Sequence, residues 1–106
     1  MRFQYALDWN YIRGGGAKIF GIPLKPSAYW KRNFYVTFED DPIGIRTRDF
    51  IGTNTLLWGN DYPHGDSVFP HSQQVLNEVL QDCTPAERYE MTVKNVVQLY
   101  HLPFEV

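Results

Sequence analysis

The sequence predicts a parallel α/β fold, of which it supplies only the C-terminal piece. Three observations carry that prediction. Phe34-Tyr35-Val36-Thr37-Phe38 and Thr55-Leu56-Leu57-Trp58 are β-branched, aromatic or aliphatic runs of strand type. They begin 21 residues apart with one short helical pattern between them, which makes a compact β–α–β unit with parallel pairing and a right-handed crossover. Neither run alternates apolar with polar, so both read as strands buried on two faces. Two such strands do not make a stable sheet, which needs roughly three or more. Left alone, each would carry an unpaired apolar edge.

Composition narrows the class of protein. With 106 residues, 43% hydrophobic and 21% charged, the chain is neither disordered nor membrane-spanning. A net charge of −2 without a basic stripe argues against a nucleic-acid partner. A single cysteine, Cys83, excludes an internal disulfide and reads as a small buried hydrophobe. No apolar run approaches the roughly 20 residues of a membrane span, and no signal-peptide pattern opens the chain. A cytoplasmic protein without a membrane partner is therefore expected.

The elements follow in order. Phe3, Ala6, Leu7 and Tyr11 keep helical spacing, with Trp9 and Ile12 beside them, and no capping residue precedes them. Gly14-Gly15-Gly16 ends that helix. The triplet is no phosphate cradle, because no strand precedes it and no Gly-Lys-Ser/Thr follows. Residues 17–33 are punctuated by Gly and Pro, with a short helical turn expected from Lys25-Pro26-Ser27 through Tyr29 and Trp30, and Lys31 and Arg32 on its solvated face. After the first strand, Glu39-Asp40-Asp41-Pro42 reads as a helix start, since carboxylates favour the positive end of the dipole and Pro suits the first position. Glu39 or Asp40 facing a site is the other reading. Ile43 to Ile51 is expected to be one helix with Arg46 and Arg48 outward and Phe50 inward, stopped by Gly52. Beyond the second strand, Val75, Leu76, Val79 and Leu80 form an apolar stripe. Thr84-Pro85-Ala86-Glu87 is a capping box. The last helix presents Ala86, Tyr89, Val93, Val96, Val97 and Tyr100 on one face.

The chemistry gathers after the second strand, at Gly59-Asn60-Asp61-Tyr62-Pro63-His64. Pro63 cannot give a ladder hydrogen bond, so the strand stops and leaves a carboxylate at its carboxyl end with an imidazole three residues on. In parallel α/β proteins ligands and catalytic residues collect at that end. The alternative is that Asp61 caps a turn and His64 is a polar loop residue.

At Trp58-Gly59-Asn60-Asp61-Tyr62-Pro63-His64-Gly65-Asp66-Ser67 the chain resembles the end of the amidohydrolase-related family, the branch that includes aminocarboxymuconate-semialdehyde-type decarboxylases. Asn60 stands where that family has Ser. Tyr29 to Phe38 is similar to the family's seventh-strand segment, and Lys94-Asn95-Val96-Val97-Gln98-Leu99-Tyr100 to its closing helix. The resemblance implies a (β/α)8 TIM barrel, a fold of about 250 residues. Residues 1–106 would then be its C-terminal portion, an incomplete barrel of about two β/α units and the closing helix. It implies Asp61 as a metal ligand and catalytic proton-transfer group, with His64, Asp66 and Glu39 as lining residues. It implies a divalent ion, zinc foremost with manganese or iron as alternatives, whose other ligands lie outside this chain. Hydrolysis of a small molecule by metal-activated water is the implied reaction, non-oxidative decarboxylation the second. The full-length parent would be the active species, with a homo-oligomer as one form open to it, and the 106-residue chain inactive. A non-catalytic remnant, or a subunit completed by another chain, is the alternative from a different class.

Overall fold

The computed structural model describes residues 2–106, which divide at Phe34 and Tyr35 into two compact units. In the first, α1 (Arg2–Arg13) runs into the glycine triplet, where Gly15 and Gly16 take φ of 97° and 57°. That left-handed geometry lets the Gly16 N–H reach back to the Tyr11 carbonyl at 2.8 Å and closes the helix. A four-residue turn α2 (Ala17–Phe20) and a helix α3 (Pro26–Asn33) follow, α3 opening on Pro as expected. Asp8 ties α1 to α3 by accepting from the Ser27 N–H at 2.8 Å and the Ser27 hydroxyl at 2.6 Å. Tyr11 is the buried residue of α1, and its hydroxyl donates to the Ile22 carbonyl at 2.7 Å.

The second unit holds the sheet. Strands β1 (Val36–Phe38) and β2 (Leu56–Trp58) pair in parallel, Val36 opposite Leu56 and Phe38 opposite Trp58. The expected β–α–β order is therefore present, in a mixed α/β structure that is mostly helical. Among the described residues the sheet has these two strands and no more, so its outer edges are unpaired. Leu56 and Leu57 bury both faces of β2, as read from sequence. On β1 only Phe38 is buried and Thr37 is exposed, so this strand alternates.

The core joins Phe38, Ile45, Leu56, Val79, Leu80, Cys83 and Met91. Cys83 is buried, as expected, and the stripe Val75–Leu76–Val79–Leu80 of α6 (Ser72–Val79) and its C-cap packs in or against this cluster. The segment 43–51 departs from expectation. It breaks at Thr47 into α4 (Pro42–Arg46) and α5 (Arg48–Ile51). Thr47 Oγ1 donates back to the Ile43 carbonyl at 2.9 Å and competes with helix propagation. The break rotates Phe50 into solvent, 65% exposed, and turns Arg48 inward onto Glu87.

The closing helix starts at the predicted capping box, Thr84 with Glu87, as α7 (Pro85–Tyr89). It then widens into a π turn at Glu90–Lys94 before α8 (Asn95–Tyr100). The extra residue in that turn shifts the phase of the helix. Val97 of the predicted face is buried, joined by Met91 and Asn95, while Tyr89, Val93 and Tyr100 of that face are exposed. No helix among the described residues is long and apolar enough to cross a membrane.

Candidate functional site

Gly59 ends β2 by donating to the Phe38 carbonyl at 3.0 Å, and the chain turns at once. Asn60 builds the turn. Its Oδ1 accepts from the Tyr62 N–H at 3.2 Å, its Nδ2 donates to Ser72 Oγ at 3.2 Å, and its carbonyl accepts from the Ser67 hydroxyl at 2.6 Å. In the sequence Asn60 stands out only as a departure from a pattern. An Asn directly after a strand-ending Gly is a turn signal that would have found this role.

The turn throws Asp61 into the left-handed region, φ 56°. A β-carbon makes that conformation unfavourable, and Asp and Asn tolerate it best among side-chain-bearing residues. Asp61 Oδ1 stands 2.9 Å from His64 Nδ1, and the Asp61 carbonyl accepts the His64 N–H at 2.9 Å. The pair lies open to solvent, with 47% of the Asp61 and 72% of the His64 side chain exposed. The hydrogen bond and charge of Asp61 hold the His64 imidazolium above its ordinary pKa, and Asp66 adds a weaker pull from nearby.

Glu39, just past the carboxyl end of β1, lies at the same end of the sheet. An open cavity of about 450 Å³ is lined by Thr37, Phe38, Glu39, Asn60, Asp61 and Tyr62. Both strand ends thus contribute a carboxylate to one depression, Glu39 from β1 and Asp61 from β2. Glu39 Oε1 is already engaged, accepting the Val68 N–H at 2.7 Å, so it also pins the loop that follows Asp61. Asp41 has the capping role instead, accepting from the Gly44 N–H at 2.7 Å. Of the expected lining residues, Glu39 and Asp61 line the cavity, whereas His64 and Asp66 are exposed on the loop outside its lining; His71 and His101 also fall outside it.

Among the described residues no three His, Cys, Asp or Glu side chains converge as a metal site would require. Asp61 and His64 are bonded to each other, and a catalytic zinc normally takes three protein ligands. The donors among the described residues do not by themselves fit a catalytic metal.

No family model matches the chain, and no curated protein matches it.

Proposed function

We propose that residues 1–106 form part of the active face of a metal-dependent hydrolase resembling the amidohydrolase-related family, with Asp61 as its metal-binding and proton-transfer residue. One observation carries the reading. A carboxylate stands at the carboxyl end of a parallel strand, in a left-handed backbone conformation, hydrogen-bonded to His64. Strained residues of this kind gather at functional sites, and this end of a parallel sheet is where α/β enzymes bind substrate.

What this chain can do is proton handling. Asp61 fixes one ring nitrogen of His64 and favours the imidazolium. The other nitrogen, on a side chain that stands open to solvent beside the cavity lining, is left to exchange a proton. The two donors do not complete a metal site, so further ligands come from outside the described residues. A carboxy-lyase of the same family uses the same residues and is the second enzymatic reading.

Asp61→Asn tests the assignment. In the longer enzyme, metal-dependent turnover is lost while the circular dichroism spectrum is kept. In the 106-residue chain, the His64 pKa followed by NMR falls toward the ordinary histidine value. Unchanged turnover refutes the catalytic role, and an unchanged His64 titration refutes the pairing. Tight stoichiometric zinc on the 106-residue chain would show that its donors suffice. A non-catalytic subunit completed by another chain is the reading favoured by the sheet's unpaired edges. It predicts wild-type behaviour of the Asp61→Asn variant in every assay but the titration.

A further inference from the structure

We infer that residues 1–34 are an interface that takes up the acidic surface, residues 35–106, of a second copy of this chain. The modest net charge of −2 conceals an asymmetry. Residues 1–34 carry six basic side chains, Arg2, Arg13, Lys18, Lys25, Lys31 and Arg32, against one acidic residue, Asp8. Asp8 is engaged by Ser27. All six cations are exposed, and among the described residues none makes an ion pair. Residues 35–106 carry eleven carboxylates against Arg46, Arg48, Arg88 and Lys94. Asp40, Asp49, Asp66 and Asp82 among them are exposed and make no ion pair among the described residues.

The basic unit also has an apolar groove of about 470 Å³, walled by Phe3, Leu7, Ile22, Tyr29, Trp30 and Phe34. The indole N–H of Trp30 is buried with no acceptor among the described residues. Such a donor is costly until an acceptor arrives. Apolar walls with a basic surround suit a partner that brings apolar side chains and carboxylates together. The acidic unit offers both, since Ile43 and Phe50 stand exposed close in sequence to Asp40 and Asp49. An anionic bilayer would draw in residues 1–34 but repel residues 35–106, so the asymmetry that favours pairing of unlike surfaces between copies disfavours that partner. Reciprocal contact, each basic unit on the other copy's acidic one, closes as a twofold dimer.

Sedimentation equilibrium of the full chain tests this. A dimer is expected at about 0.1 M salt, weakening at about 1 M, where the screening length falls from about 10 Å to about 3 Å. The exposed triple variant Lys25→Glu/Lys31→Glu/Arg32→Glu, its fold checked by circular dichroism, should raise the dimer dissociation constant about tenfold or more. Asp49→Lys/Asp82→Lys should do the same from the other surface, and decides the matter if the triple variant fails to fold. A chain still monomeric at about 100 μM and low salt overturns the inference. So does a dimer unmoved by either variant, or a monomer that co-sediments with phosphatidylserine vesicles.

Discussion

Asn95 offers the sharpest test of how the second unit is held together. Its side chain sits 3% exposed beneath β2. Its Nδ2 donates to the Thr53 carbonyl at 2.7 Å and the Leu56 carbonyl at 2.8 Å. One amide thus satisfies two backbone acceptors at the entry to β2 and fixes the closing helix against the sheet. Asn95→Leu keeps the branched shape with the same number of heavy atoms, at somewhat larger volume, and removes the donor. The buried Leu56 carbonyl then bears an unsatisfied-acceptor cost of about 1–3 kcal/mol, and the half-buried Thr53 carbonyl a net loss of about 1 kcal/mol. The expected destabilisation is about 2–4 kcal/mol. A unit of this size has about 4–11 kcal/mol in total, so the melting temperature should fall by roughly 10–30 °C. Asn95→Asp, which sets carboxylate oxygens against two carbonyls, should cost more than Leu. Asn95→Ala adds the cavity left by the missing side chain. Urea unfolding followed by far-ultraviolet circular dichroism reads all three. An Asn95→Leu variant within about 0.5 kcal/mol of wild type would mean that the two hydrogen bonds hold nothing, and the account of the closing helix would fail.

The start of the closing helix is open to two tests of its own. Arg48 Nε lies 2.7 Å from Glu87 Oε1, and the Thr84 N–H donates to Glu87 Oε2 at 2.7 Å. Arg48 first, and Thr84 after it, hold the Glu87 carboxyl down from 4.5 to about 2. A depressed folded pKa stabilises above the ordinary carboxylate value, and that stability is lost as pH falls toward the folded one. Thermal melts should therefore decline between pH 4.5 and about 2 in the wild type and flatten over that window in Glu87→Gln; equal slopes would exclude Glu87 as the source. Thr84→Ala removes the hydroxyl that accepts the Glu87 N–H at 3.3 Å and should cost about 1 kcal/mol, with Thr84→Ser close to neutral. Equal losses in the two variants would show that the cap is not what Thr84 supplies.

The local features of this chain are legible because each is encoded within a few residues. The capping box at Thr84, the Pro starts of α3 and α4, the glycine stop after α1 and the apolar stripe of α6 all depend on neighbours in sequence. Parallel pairing of β1 and β2 follows from their spacing, and the placing of Asp61 at a strand's carboxyl end from Pro63. Side-chain direction beyond one turn is not legible. As a single helix, the segment 43–51 puts Phe50 inward and Arg48 outward, and the Thr47 break reverses both. The π turn likewise brings Met91 and Asn95 inward beside Val97 and leaves Tyr89, Val93 and Tyr100 exposed, since one extra residue in a turn carries no periodic signature.

Sequence alone therefore determined the β–α–β order, the starts of the helices at Pro26, Pro42 and Pro85, and that a carboxylate and an imidazole share one loop, while the first strand, read from Phe34, begins only at Val36. Tertiary structure decided which side chains residues 43–51 and the closing helix bury, that Asn95 serves two backbone carbonyls, and that Glu39 meets Asp61 at one cavity. The division has a physical reason. Caps and turns are closed by atoms a few residues away, whereas a buried acceptor or a shared cavity is completed by groups that only folding brings together.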